Sequence, residues 1–279
     1  MHRERVSENV YWFQSEIYAQ VTAGVIAGAN WAIVIDTLAI PDETLAMRAF
    51  IEEDLHVPVR YIINTHHHAD HTWGNCFFPG ATIIAHKKCY DALADRGQAA
   101  LDAARQQNPT FKHVKITLPH ITFDNGGISL RVGKKNLMIF CTPGSSNDSV
   151  SVLVEEDRIL FAGDAFLPIP FIVDGDIDEM TTTLKSFGKM SLENIIQGHG
   201  DVVLRGEVEN AVKDNLAYLS AIRKAVRSAM RRKNPLEVLE NVDVESCGKS
   251  RVLLGGLAED LHQRNLHSLY HNYLNKVTD

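Results

Sequence analysis

The sequence predicts a layered α/β fold, and three features carry that prediction. Short runs rich in Val and Ile alternate with segments of helical apolar spacing, in two successive blocks. Glycine and proline stand as single punctuation marks between those segments, and no repeat or low-complexity run marks a linker. The 279 residues give a prior of about one to two domains at roughly 150 residues each, long enough to bury a full-sized core.

Val10 to Phe13 and Val21 to Ala27 read as strands, Gly28-Ala29-Asn30 as a turn, and Trp31 to Ile35 as a strand ending at Asp36. Pro41-Asp42-Glu43 opens a helix to about Leu55, with acids in the first turn where the helix dipole favours them. Val59 to Ile63 is a short strand whose apolar text fits burial on both faces. Thr82 to Ala85 reads as a strand and about His86 to Gln107 as a helix. A β-rich stretch follows: Ile128 to Val132, Leu137 to Cys141, Val150 to Val154 and Ile159 to Phe161. Next come a helix near Glu179 to Met190, a strand at Asn194 to Ile196, and mostly helix to the end. From about Glu207 to Met230, Val208, Val212, Leu216, Leu219, Ile222 and Val226 share one helical face. Leu257, Leu261, Leu269 and Tyr273 repeat the pattern in the last helix.

Composition excludes several classes. The net charge of −7 argues against nucleic acid or an anionic membrane as partner, because either favours a basic surface. No apolar run approaches the ~18 residues of a spanning helix. Met1-His2-Arg3-Glu4-Arg5 has no apolar segment behind it, so a secretory signal is not expected. Cys76, Cys89, Cys141 and Cys247 are scattered, which disfavours a disulfide framework and fits a reducing, cytoplasmic setting. The expectation is a small-molecule substrate, with a homodimer left open.

The informative text is Asn64-Thr65-His66-His67-His68-Ala69-Asp70-His71. His66, His68, Asp70 and His71 stand at i, i+2, i+4 and i+5, directly after a buried strand, where α/β folds place ligand-binding groups. Neutral imidazole and carboxylate are the ligands zinc and related divalent metals prefer. A merely solvated loop rarely gathers so many ligand types.

His66-x-His68-x-Asp70-His71 resembles the signature of the metallo-β-lactamase fold superfamily. Later landmarks are similar too: Thr142-Pro143-Gly144-Ser145, Ala162-Gly163-Asp164 and Gln197-Gly198-His199-Gly200, with Asp36 at the place of the acid that ends an early strand. The resemblance runs from about Val21 to Gly200 and implies a four-layer αβ/βα sandwich over residues 1–206, with 207–279 a helical C-terminal cap on the same domain. It implies that His66 and His68 bind a first metal, that Asp70, His71 and His199 bind a second, and that Asp164 bridges them. One or two divalent ions are then the cofactor, zinc first, with manganese or iron as alternatives. Such ions activate a water and polarise a carbonyl, and Asp70 can take a proton in transit.

Ser145 departs from the pattern, because the resembled family places a third histidine of the first site there. A neutral hydroxyl is a poor substitute. Three readings stay open: one metal held by Asp70, His71, Asp164 and His199; a lopsided two-metal site completed by Ser145 or a water; or an inactive or altered protein.

Other signals carry weaker expectations. His67 should point away from the metals, and His86 should be structural, with a replacement ligand as the lesser reading. His113 and His120 read as surface residues and Cys141 as a packing residue. Phe166 to Val173, with two prolines, reads either as the wall of an apolar pocket or as core or dimer packing. Arg223, Lys224, Arg227, Arg231, Arg232 and Lys233 give a basic helix face whose simplest reading is solvation, with an anchor for a carboxylate or coenzyme phosphate as the minority reading. His262, Asn265, Tyr270 and His271 stand near the end, where related hydrolases place a covering helix. The function that follows is a metal-dependent hydrolase of a small ester, lactone, thioester or amide. The alternatives are β-lactam hydrolysis, which the missing leader disfavours, and a metal-site binding or sensing protein.

Overall fold

Side-chain alternation on the central strands decides the layers. The structure is a computed structural model that describes residues 1–278, with side chains as far as residue 275. Its first sheet runs in sequence order through β1 (His2–Ser7), β2 (Val10–Gln14), β3 (Thr22–Ala27), β4 (Ala32–Ile35), β5 (Val59–Ile63), β6 (Thr82–His86) and β7 (Ile121–Phe123). β8 (Gly127–Val132), β9 (Lys135–Cys141), β10 (Val150–Val154), β11 (Ile159–Gly163), β12 (Asn194–Gln197) and β13 (Val203–Leu204) form the second, in the order β13-β12-β11-β10-β9-β8. β4 to β7 pair in parallel, as do β11 and β12, and the other neighbours are antiparallel.

Ile33 and Ile35 of β4 face inward to meet Val150, Val152 and Phe161 of the second sheet in one core, while Ala32 and Val34 face outward to Met47 and Ile51. On β10 and β11, Leu153 and Leu160 point to a third core, against Met180, Leu184, Tyr218 and Ile222. Period-two patterning thus buries both faces of the central strands of both sheets, and helices close the outer sides. The result is an αβ/βα sandwich. At Gly24 a Cβ would stand 2.2 Å from the Phe161 ring, so the aromatic fills the space that the missing side chain leaves between the sheets.

The helices are α1 (Pro41–Ala49), α2 (Ala69–Thr72), α3 (Lys87–Ala92), α4 (Gln98–Gln107), α5 (Ile177–Phe187), α6 (Arg205–Ala229), α7 (Pro235–Glu240) and α8 (Ala258–Thr278). Wider π turns at Phe50–Asp54 and Leu93–Gly97 lie within what the sequence reads as two longer helices. α6 starts at Arg205, two residues before the expected Glu207, whose carboxylate accepts from the Leu204 N–H at 3.1 Å.

β1, β7 and β13 are absent from the sequence reading. β1 is largely exposed, β7 has three residues and β13 two, so none offers a buried periodic run. The last helix corrects a second expectation. Leu269 is buried, but Leu257 is 42% exposed, and it and Leu261 face a cleft rather than the core. The buried face is instead set by Ala258, His262, Asn265 and Leu266. Among the described residues no helix is long and apolar enough to cross a membrane.

Candidate metal centre

The C-terminal ends of β5, β11 and β12 open onto one edge of the sandwich. β5 delivers the loop and short helix carrying His66, His68, Asp70 and His71, β11 delivers Asp164, and β12 delivers His199. Among these side chains, His66, His71 and Asp164 offer ligand atoms within 4.8 Å of one another, and so do Asp70, His71 and His199.

The partners of the outer ring nitrogens fix the tautomers. Asp36 Oδ2 can only accept, so His71 Nδ1–H donates to it at 2.8 Å. Ala19 O likewise accepts from His199 Nδ1–H at 2.8 Å. Thr65 Oγ1 donates to Asp36 Oδ2 at 2.7 Å, which leaves its lone pair to accept from His66 Nδ1–H at 3.0 Å. Three Nε2 atoms therefore turn inward. His68 is reversed: its Nε2 meets Asp174 Oδ2 at 2.9 Å and its Nδ1 faces Asp164.

Each oxygen of Asp164 faces a different imidazole pair. Oδ2 lies 3.4 Å from His66 Nε2 and 3.7 Å from His68 Nδ1; Oδ1 lies 3.3 Å from His71 Nε2 and 3.6 Å from His199 Nε2. Asp70 Oδ2 is 3.2 Å from His199 Nε2 and 4.0 Å from His71 Nε2. These gaps exceed a good charged hydrogen bond of about 2.7–2.9 Å. They match the roughly 3.3 Å between tetrahedral ligands that each stand ~2.0–2.1 Å from a shared zinc-sized ion. His66 Nε2, His71 Nε2 and Asp164 Oδ1 are buried with no hydrogen-bond partner among the described residues. Buried lone pairs facing one another are costly unless a cation lies between them, so the donor set fits a divalent metal. Gly198 serves the same geometry: a Cβ there would lie 2.1 Å from Asp164 Oδ1.

Electrostatics point the same way. Burial opposes protonation of His71, but Asp36, Asp164 and Asp70 outweigh it and raise its pKa well above the ordinary imidazole value. Burial also opposes protonation of His68, but the facing carboxylates of Asp164 and Asp174 outweigh it and carry the pKa to about 10. His199 is raised against burial by Asp164 and Asp70, whereas burial dominates at His66 and lowers it. Without metal, protons thus hold the carboxylates at pH 7. Ligation needs the lone pairs, so metal uptake at pH 7 should release protons, and affinity should rise with pH as His68, His71 and His199 deprotonate. Calorimetric titration with zinc in buffers of different ionisation enthalpy measures that release; a buffer-independent enthalpy would contradict it.

The other residues the sequence singles out have partners of their own. Ser145 is buried, and its Oγ lies 3.0 Å from Ser149 Oγ, which also bonds Ser146 Oγ at 2.8 Å. His67 turns to Asp148, with Nδ1 3.0 Å from a carboxylate oxygen. His86 caps α3 by accepting from the Lys88 N–H at 3.1 Å, and its Nε2 bonds Asp124 O at 3.0 Å, a structural role. His120 accepts from the Ile83 N–H at 3.0 Å. His262 and Asn265 are buried braces: His262 bonds Tyr218 OH at 3.1 Å, and Asn265 holds Ile172 N and Pro170 O at 2.9 and 2.7 Å. The basic residues of α6 do not line the cleft; Arg223 pairs with Asp178 at 2.6 Å.

A cleft of about 260 Å³ opens above Asp70, Asp164, His68 and His199. The Phe166–Val173 stretch divides its labour: Phe166, Ile169 and Ile172 join the core, while Leu167 and Phe171 line the cleft. Tyr18, Asp174, Asp260 and Arg264 escape sequence reasoning, and nothing in their local text marks them. A wider groove of about 620 Å³ beside Lys185, Leu192, Glu193 and Leu216 holds no histidine or cysteine.

An αβ/βα sandwich with imidazoles and carboxylates gathered at its strand ends defines a class of metal-site proteins. A sequence profile of the metallo-beta-lactamase superfamily matches residues 18–226, and the chain belongs to that superfamily. It is similar to thioesterase pkgB of Emericella nidulans, with 27% identity over 184 residues, 64% of this chain and 46% of that protein. The chain spans about half the length of the curated relatives it matches. Among solved structures, a metallo-beta-lactamase family protein from Thermus thermophilus aligns with TM-score 0.67 and 17% identity over 94% of both chains. The sec-alkylsulfatase Pisa1 from Pseudomonas sp. aligns with TM-score 0.76 and 14% identity, over 98% of this chain and 50% of that one. At these identities the likeness is one of fold.

Proposed function

We propose that this chain is a metal-dependent hydrolase of a small carbonyl substrate: an ester, lactone, thioester or amide. The observation that carries it is Asp164, a buried carboxylate shared by two imidazole pairs at the floor of an apolar-walled cleft. His66, His68 and Asp164 Oδ2 would hold one divalent ion, and Asp70, His71, His199 and Asp164 Oδ1 a second. When bound, such ions lower the pKa of a water towards neutrality and polarise a carbonyl oxygen.

The remaining work falls to the chain. Asp36 and Ala19 O hold His71 and His199 in the tautomer that leaves Nε2 free. Asp70, which reaches the cleft, takes up the proton of the attacking water. Leu167, Phe171 and Leu261 exclude water and seat apolar carbons. The thioesterase name of one relative supports keeping thioesters in the substrate class.

Protein loaded with zinc or manganese, with metal content measured, should hydrolyse members of a panel of aryl esters, lactones, acyl thioesters and a β-lactam, and chelation should abolish the activity. Stoichiometric metal with no turnover of any member would instead favour the binding or sensing reading.

A further inference from the structure

The cleft has an outer end that water activation does not use. Tyr18 stands on the loop between β2 and β3, and Ala19 and Gln20 beside it adopt left-handed backbone, with φ of 44° and 53°. That conformation is rare for side chains other than glycine. It lets Ala19 O bind His199 while Tyr18 lines the cleft. The Tyr18 hydroxyl has no hydrogen-bond partner among the described residues. Burial, then the charge of Asp70, raises its pKa and Arg264 lowers it, so the phenol remains a donor and feels both charges.

Arg264 is the one lysine or arginine among the cleft-lining residues. Leu257 immediately precedes the last helix, Leu261 and Arg264 stand at i and i+3 on it, and all three line the cleft. Among the described residues Arg264 pairs with Asp260 alone, at 2.9 Å, and both side chains are more than half exposed. Exposed pairs of this kind are weak and exchange readily. Leu257, Asp260, Leu261 and Arg264 lie beyond residues 18–226, so this side of the outer end is not part of what the superfamily profile matches, whereas Tyr18 is the first residue of the match.

Resting on the hydrolase reading, we propose that the substrate carries a carboxylate, held by the Arg264 guanidinium and the Tyr18 hydroxyl while its hydrolysable carbonyl lies over Asp70 and Asp164. In the free protein Asp260 stands in for that carboxylate. Leu257 and Leu261 would carry the apolar carbons between the two polar ends. A carboxylate fits better than a phosphate dianion, because one guanidinium fork and one phenol match two planar oxygens. With Asp260 alongside, they leave a second negative charge unpaired.

The test uses the full metal-loaded chain and two substrates, the 4-nitrophenyl monoester of adipic acid and the same compound with its free carboxyl capped as the amide. The acid should show a kcat/KM about 10-fold or more above the amide, mostly through KM. Arg264→Met should raise KM for the acid by about 10–100-fold and leave the amide within about twofold, the range lost with one charged hydrogen bond. Arg264→Lys should restore part of the preference, and Tyr18→Phe should cost the acid less than Arg264→Met does. Equal hydrolysis of acid and amide overturns the subsite, as does an acid preference that survives Arg264→Met, which would place the carboxylate on the metals. If neither ester is cleaved, the hydrolase reading is decided by the wider substrate panel and the subsite is judged by binding. Adipic monoamide titrated by NMR into metal-free protein should then bind at least 10-fold more weakly to Arg264→Met than to the native chain, and equal binding overturns it.

Discussion

Replacing Asp164 with Asn is expected to strip the protein of stably bound divalent metal and to lower kcat/KM at least ~10³-fold. Losing a group that merely orients a ligand typically costs 10–100-fold, and Asp164 is in closer contact than that. Its oxygens are within 3.3–3.7 Å of four inward-facing ring nitrogens. The amide keeps the shape but brings an N–H₂ that cannot ligate and removes the charge both half-sites share. Four imidazoles and Asp70 would then hold at most one ion between them. The metal-free variant should also change. Asp164 helps raise the pKa of His68, His71 and His199, so their values should fall, and the variant should bind fewer protons at pH 7 than the native chain. Elemental analysis after dialysis reads the first effect and ring-proton NMR titration the second. A native metal count in the variant would remove Asp164 from the centre.

The parts of this centre differ in how plainly the sequence shows them. His66, His68, Asp70 and His71 lie within one hexapeptide after a strand whose Ile62 and Ile63 are fully buried, so local text carries both the element and its chemistry. Asp164 and His199 are remote in sequence, and only the resemblance joins them to that loop. The edge of the sandwich does so in space, because β5, β11 and β12 all end there. Asp174 and Tyr18 were not legible, since each lies in an irregular segment and acquires meaning only through His68 Nε2 or the cleft. For α8 the apolar spacing itself misled. Leu257 and Leu261 share a period with buried positions, yet the buried face is built around polar His262 and Asn265, which tie α8 to Tyr218 and to the loop after β11. Periodicity counts apolar residues, and a face buried through hydrogen-bonded polar groups escapes that count.

Ser145→His is expected to raise the metal content from about one to about two ions per chain. On the proposed reading the second half-site would draw on four protein groups, Asp70, His71, His199 and Asp164 Oδ1, and the first on three, His66, His68 and Asp164 Oδ2, in keeping with the spacing of these atoms. The Ser145 hydroxyl adds little, since it is neutral and already bonded to Ser149 at 3.0 Å. Imidazole would supply the missing lone pair, but at a fully buried position its extra volume costs about 1–3 kcal/mol. For a domain of this size that lowers the metal-free melting temperature by several degrees, at roughly 2–4 °C per kcal/mol. Excess zinc should recover the loss, because an ion that binds only the folded state stabilises it. In the native background, Asp70→Ala should remove the single ion and His66→Ala should leave it, since only the complete half-site loses a ligand in the first case. Two ions in the native chain would mean that the serine or a water already completes the first half-site. In that event Ser145→His should add none, and a thermal penalty without recovery by zinc would follow from the same buried volume.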